Sequence, residues 1–207
     1  VMDGPIIQAA ADLSLSQGTG AKEVFSTLAA VTSLGVPAMV MTYWNPIERY
    51  GVENFARSIA QAGGSGVITP DLTIEEAPAW RDAVKKENIN SIFVVAPSTK
   101  DDRLAKVTAE CSGFIYAASL MGVTGTRTSV SSSAKDLVTR IRSVSSTPVA
   151  VGLGVSTRDQ AHEVAQYADG VIVGSAFIRL LQESASPSEG LTRIRELAAS
   201  LAEGVRR

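Results

Sequence analysis

The 207 residues hold one cysteine and one histidine, so the usual metal and redox side chains are nearly absent. With only Cys111, an internal disulfide and a cysteine-built zinc site are excluded, and the ordinary reading is a buried thiol. His162 sits in a polar helical stretch, Thr157-Arg158-Asp159-Gln160-Ala161-His162-Glu163, where a solvated helix face accounts for it. No metal site is therefore expected. An excess of one charge is lacking too. Lys and Arg number 19 against 21 Asp and Glu, a net charge of −2, with no basic run or stripe, so nucleic acid is not an expected partner. The sequence shows neither an apolar run of membrane-spanning length nor a signal peptide, so no membrane association is expected and a cytoplasmic location is.

What is present is an apolar fraction of 45% beside 19% charged residues, enough for one domain with a sizeable core. No linker or low-complexity tract interrupts it, so residues 1–207 are read as a single domain. The stretches Ile6–Leu13 and Ala21–Ser33 carry helical patterns, separated by Gly18-Thr19-Gly20. From there apolar, β-rich runs occur at Pro37–Tyr43, Gly66–Pro70, Ser91–Pro97, Phe114–Ser119, Pro148–Gly154 and Val171–Gly174. Helical patterns alternate with them, at Val52–Gln61, Ile74–Glu87, Asp101–Cys111, Ser133–Val144 and Arg158–Tyr167, and a longer one over Pro187–Val205 closes the chain. Strand starts recur roughly every 25 to 30 residues, the size of a βα unit. The runs are apolar almost throughout, as parallel strands covered on both faces must be.

The expected fold is therefore α/β, a (β/α)8 TIM barrel. Such a barrel needs eight strands, and six are visible. The chain opens on Val1-Met2-Asp3-Gly4-Pro5 without an initiator methionine, as if inside a loop. The expectation is that strands 3 to 8 are present and that the first two lie upstream, leaving the domain incomplete at its N-terminus. A doubly wound open sheet is the other α/β solution. It would place its glycine-rich turn after the first strand rather than the last two.

In a barrel, function sits at the C-terminal strand ends and the loops beyond them. That rule selects Asp3, Tyr43-Trp44-Asn45, Thr69-Pro70-Asp71, Ala96-Pro97, Tyr116 with Ser119, the loop Met121–Thr126, Gly152–Gly154 and Gly174–Ser175. Two apolar runs ending in glycine and hydroxyl residues, Val151-Gly152-Leu153-Gly154-Val155-Ser156 and Val171-Ile172-Val173-Gly174-Ser175-Ala176, each run into a helical pattern. Glycine bares the backbone, and a helix start offers N–H groups, so side by side they read as an anion cradle. Tight turns alone would give the same local pattern. The ligand would be a phosphorylated small molecule whose other end is apolar, since Met41, Tyr43, Ile68, Val94, Leu153 and Ile172 end the strands. Asp3 suits a carboxylate that holds developing positive charge, and equally suits a helix N-cap. Tyr116 alternates with Phe114 and Ala118, which turns it inward toward the mouth or into the core. Leu120–Ser133, rich in Gly, Ser and Thr, reads as a lid or as a plain loop, and Gly125 within it could serve the phosphate.

In order along the chain, Asp3-Gly4-Pro5-Ile6-Ile7-Gln8, Met41-Thr42-Tyr43-Trp44-Asn45-Pro46, Pro70-Asp71-Leu72, Tyr116 with Met121-Gly122-Val123-Thr124-Gly125, Gly152-Leu153-Gly154-Val155 and Gly174-Ser175-Ala176 resemble the tryptophan synthase alpha chain family. The resemblance implies a barrel lyase that cleaves indole-3-glycerol phosphate by a retro-aldol step to indole and glyceraldehyde 3-phosphate, with no metal and no cofactor of its own. It implies Asp3 and Tyr116 as catalytic residues, Asp3 holding the indole N–H as the ring becomes cationic. It makes Thr124 the lid residue that meets Asp3, and Gly125, Gly154, Gly174 and Ser175 the phosphate cradle. Tyr43, Leu153 and Ile172 would line the substrate. The family's general acid/base glutamate should fall about eleven residues before Asp3, upstream of Val1. The implied partner is the pyridoxal-phosphate-dependent beta chain of an α2β2 complex, faced by Asn45 and Pro46 on a loop. A phosphosugar isomerase or epimerase barrel, or a catalytically incomplete phosphate-binding subunit, would share the cradle without this chemistry.

Overall fold

The computed structural model describes residues 4–118, 132–152 and 154–206. Two helices come first, α1 (Pro5–Ser16) and α2 (Ala21–Thr32). Then follow β1 (Val40–Met41), α3 (Trp44–Tyr50), α4 (Val52–Gln61), β2 (Gly66–Thr69), α5 (Pro78–Lys86), β3 (Asn90–Val95), α6 (Asp101–Glu110) and β4 (Ile115–Ala118). The chain ends with α7 (Ser132–Arg142), β5 (Val149–Gly152), α8 (Arg158–Ala165), β6 (Gly170–Ile172), α9 (Ser175–Glu183) and α10 (Pro187–Val205). Among the described residues no helix is long and apolar enough to cross a membrane.

The six strands form one all-parallel sheet in the order β1-β2-β3-β4-β5-β6, each joined to the next through helix. This is the curved half-barrel arrangement of β/α units. Strand pairing alternates two faces. Val67, Phe93, Val95, Ile115, Ala117, Val149 and Val151 are all but fully buried. Against them the helices present residues at i, i+3 and i+4 spacing: Trp80, Ala83 and Val84 on α5, Leu104, Val107 and Thr108 on α6, Ala161, Val164 and Ala165 on α8. Each large side chain sealed there contributes about 1.5–3 kcal/mol. The opposite face is less covered, with Ile68, Val94, Tyr116, Ala150, Gly152 and Ile172 half-buried.

Three elements depart from the sequence reading. β1 is far shorter than the expected 37–43, although the Ser65 N–H donates to the Ala38 carbonyl and the Thr42 N–H to that of Ile68, which carries the pairing a little further. Among the described residues it pairs with a neighbour on one side only, β2. Asn45 and Pro46, expected on a loop, lie in the first turn of α3, where proline's missing N–H costs nothing. A further helix, α9, starts directly behind Gly174. At the other end of the chain, α1 packs on α9, and the Gln182 side-chain amide donates to the Ile6 carbonyl at 3.2 Å, while α2 packs on α4. The N-terminal helix pair thus reaches from the β6 side of the sheet to the β1 side.

Candidate active site at the C-terminal strand ends

Gly152 of β5 pairs in register with Ile172 of β6 and with Ala118 of β4. Gly154 and Gly174 each lie two residues past that level, so the two turns stand side by side at the C-terminal edge. Gly154 adopts φ +66°, a left-handed conformation that a side chain would strain. Gly174 caps α9, with no side-chain cap bond at that end. The Phe177 N–H turns back to the Gly174 carbonyl at 3.0 Å, so the Ser175 and Ala176 N–H groups are the ones that the helix itself leaves without acceptors. The other helix start is different. In α8 the Thr157 side chain accepts from the Gln160 N–H, and Gln160 Oε1 takes the Ser156 N–H at 2.9 Å and the Thr157 N–H at 3.3 Å. That capping box consumes donors that the sequence pattern seemed to offer an anion. On the β5 side the turn at Gly154 is what remains open.

Tyr116 sits on the less covered face of β4, in register with Val94 and Ala150. Its ring leans toward the C-terminal edge and lies across Gly152. A Cβ at position 152 would stand 2.7 Å from both Cε1 and Cζ of Tyr116 and against its hydroxyl. The absence of a side chain at 152 is what admits the phenol. Burial pushes the Tyr116 hydroxyl above its ordinary pKa, so at neutral pH it is a protonated hydrogen-bond donor.

Farther along the rim, Tyr43 is exposed and immediately precedes α3. Both carboxylate oxygens of Asp71, from the loop after β2, accept the Trp44 N–H, at 2.9 and 3.0 Å. Glu75 of the same loop forms a two-pronged pair with Arg103 of α6, at 2.8 and 2.9 Å, which holds its carboxyl down at about 2. Arg140 of α7 binds Asp101 at 2.7 Å and the carbonyls of Pro97 and Thr99 after β3.

Of the expected site residues, the described part brings together Tyr116, Gly154, Gly174, Ser175 and Ile172, around β4 to β6. Tyr43 lies across the sheet at β1. Asp3, Thr124, Gly125 and Leu153 fall outside the described residues, as do Ser119 and most of the candidate lid. No group of three or more His, Cys, Asp or Glu that could hold a metal occurs among the described residues. Sequence reasoning passed over Gly152 as the seat of Tyr116 and Gln160 as the acceptor that closes α8. The first has no local signal. The second does: Thr157-Arg158-Asp159-Gln160 is a capping-box sequence.

Parallel strands in chain order, helices on one face, and glycine turns beside a tyrosine at the C-terminal edge define a β/α-barrel enzyme architecture. A family profile described as tryptophan synthase alpha chain matches residues 1–206. The tryptophan synthase alpha chains of Streptomyces avermitilis and Streptomyces coelicolor are each 54% identical over 207 residues, covering 100% of this chain and 75% and 76% of theirs. A solved structure of Mycobacterium tuberculosis tryptophan synthase superposes with a TM-score of 0.92 at 49% identity, over 100% of this chain and 77% of that one. A mutant tryptophan synthase alpha-subunit from Pyrococcus furiosus gives 0.87 at 31%, over 97% and 80%. The chain belongs to the tryptophan synthase alpha chain family, and its role is that of the alpha subunit in tryptophan biosynthesis.

Proposed function

We propose that this chain binds indole-3-glycerol phosphate across the C-terminal edge of its sheet and supports its retro-aldol cleavage to indole and glyceraldehyde 3-phosphate. The observation that carries the reading is the Tyr116 phenol seated over Gly152, which pairs with Ile172 two residues before the glycines 154 and 174. The phosphate rests on the Gly154 turn and on the α9 start at Gly174 and Ser175, where backbone N–H groups and the helix dipole favour an anion. Gly125 completes the cradle. Ile172, Leu153 and Tyr43 line the apolar part. Asp3 holds the indole N–H, so that a fixed anion meets the positive charge the ring gains in the transition state. Tyr116 donates a hydrogen bond beside it, and Thr124 brings the lid onto Asp3.

In this reading β1 to β6 are the third to eighth strands of an eight-stranded barrel, the chain forms one domain, and the protein works in the cytoplasm. The register is supported by the glycine turns, which fall after the last two strands, where barrels carry their phosphate sites. The general acid/base is the glutamate that the family pattern sets before Asp3. The partner is a tryptophan synthase beta chain in an α2β2 assembly, met by the rim at Tyr43–Pro46. Calorimetric titration with indole-3-glycerol phosphate, together with an indole-release assay on the chain preceded by the family's N-terminal strands, tests the assignment. Binding and indole formation are both expected; Asp3→Asn should abolish indole formation while leaving binding largely intact, and Gly174→Val should lose both. Absence of indole from that extended chain, with isomerisation of a separately supplied sugar phosphate, would assign it to a different barrel chemistry.

A further inference from the structure

α3 is only seven residues long, too short to persist without outside support. Its N-cap residue, Tyr43, makes no side-chain cap bond at that end. The cap comes instead from another loop: Asp71, 27 residues away, places both carboxylate oxygens on the Trp44 N–H. One donor shared between two acceptors is held in direction as well as distance. Inside, the same helix is anchored by Ile47, fully buried, and by Trp44, whose ring meets Trp80 edge-on at 6.1 Å. Anchoring at these apolar contacts fixes the depth of the helix, and Asp71 fixes where its exposed first turn stands on the rim.

We propose that Asp71 is a positioning residue, holding the Tyr43-Trp44-Asn45-Pro46 corner in the orientation that engages the beta chain. The proposal rests on the reading of that corner as the partner-facing rim. Asp71 is exposed, and the apolar anchors carry most of what holds α3 in place, so its loss perturbs the corner far more than the fold. Its chemistry also makes a graded series. Asp71→Asn keeps one carbonyl oxygen for the Trp44 N–H, whereas Asp71→Ala keeps none.

The test measures the affinity of purified tryptophan synthase beta chain for the unsubstituted chain and the two variants by calorimetry, with Trp44 amide exchange and thermal melts alongside. Asp71→Ala is expected to weaken binding about five- to tenfold, the scale of a lost helix cap. It should also speed Trp44 exchange and lower the melting temperature by only about 2–6 °C, so that the chain stays folded at assay temperature, while Asp71→Asn restores most of the affinity. Should Asp71→Ala not fold, Asp71→Glu, which keeps the charge and misplaces it by a methylene, is expected to lose affinity in the same way. Affinity within twofold of the original in a folded Asp71→Ala or Asp71→Glu overturns the positioning role alone. Failure of the unsubstituted chain to bind the beta chain overturns the partner reading and this role with it.

Discussion

The contact between Tyr116 and position 152 can be turned into a measurement. In Gly152→Ala the new methyl would stand 2.7 Å from two ring carbons of Tyr116, about 1 Å inside ordinary carbon contact. The strand cannot give way, since Gly152 is laddered to Ala118 on one side and Ile172 on the other. The ring can, because Tyr116 is half-buried and has room toward the open face. Overpacking with one movable partner belongs at the lower end of the usual range, about 1–2 kcal/mol. For a domain of this size that is a fall of about 2–8 °C in melting temperature. Urea unfolding of Gly152→Ala, Tyr116→Ala and the double variant isolates the clash. Removing the ring should abolish the cost of the methyl, giving a coupling of about 1 kcal/mol or more, above the roughly 0.3–0.5 kcal/mol within which distant sites add. Tyr116→Phe is the sharper control. It deletes the hydroxyl, the atom nearest the new methyl, but keeps both close ring carbons, so it should relieve only part of the cost. Additive costs in the double variant, or relief by Tyr116→Phe equal to that by Tyr116→Ala, would refute the geometry.

Two further perturbations follow from titrating groups. Burial pushes the Cys111 thiol up to about 11, so iodoacetamide at pH 8 should leave the folded chain unmodified and label it fully in urea, as read by intact mass; rapid labelling of the native chain would contradict the burial. Glu75, held at about 2 by Arg103, contributes stability that is present above its ordinary value of 4.5 and lost as pH falls toward 2. Glu75→Gln should therefore leave the melting temperature near pH 7 little changed and flatten its decline between pH 4.5 and 2, both partners being exposed.

The parts of the fold that were legible from residues alone are those with a short-range cause. The positions of β2 to β6 and the helices between them follow from nearly continuous apolar runs alternating with helical patterns, because a strand sealed by helices on one face and a barrel interior on the other has no polar side to alternate with. Helix faces were legible for the same reason: Leu104, Val107 and Thr108 mark a buried stripe at i, i+3 and i+4. α3 was not. Its seven residues include a proline and no apolar stripe of useful length, and the carboxylate that caps it lies 27 residues downstream. A helix whose nucleation is supplied by another loop leaves no mark in its own sequence. β1 failed in the opposite sense, since the residues at 37–43 favour a strand but among the described residues only one neighbouring strand pairs with them.

The site divides along the same line. That Tyr116 turns away from the helices was readable from its alternation with Phe114 and Ala118, because parity is local. What the ring rests on was not, because Gly152 comes under it only through the register that sets Ala118 opposite Gly152, 34 positions further along the chain. The anion cradle shows how local reading can also claim too much. Both glycine turns lead into helices, and both helices were credited with open N–H groups. Yet a helix start is an anion site only if its own side chains do not close it. Gln160 closes α8 at Ser156 and Thr157, whereas α9 begins Ser175-Ala176-Phe177 and has no such residue to turn back on Gly174. If a phosphate binds here, the two turns must therefore contribute unequally. Replacing Gly174, which heads the open helix, should cost more affinity than altering the capped start at Thr157, and the difference is one of hydrogen-bond supply rather than of distance from the strands.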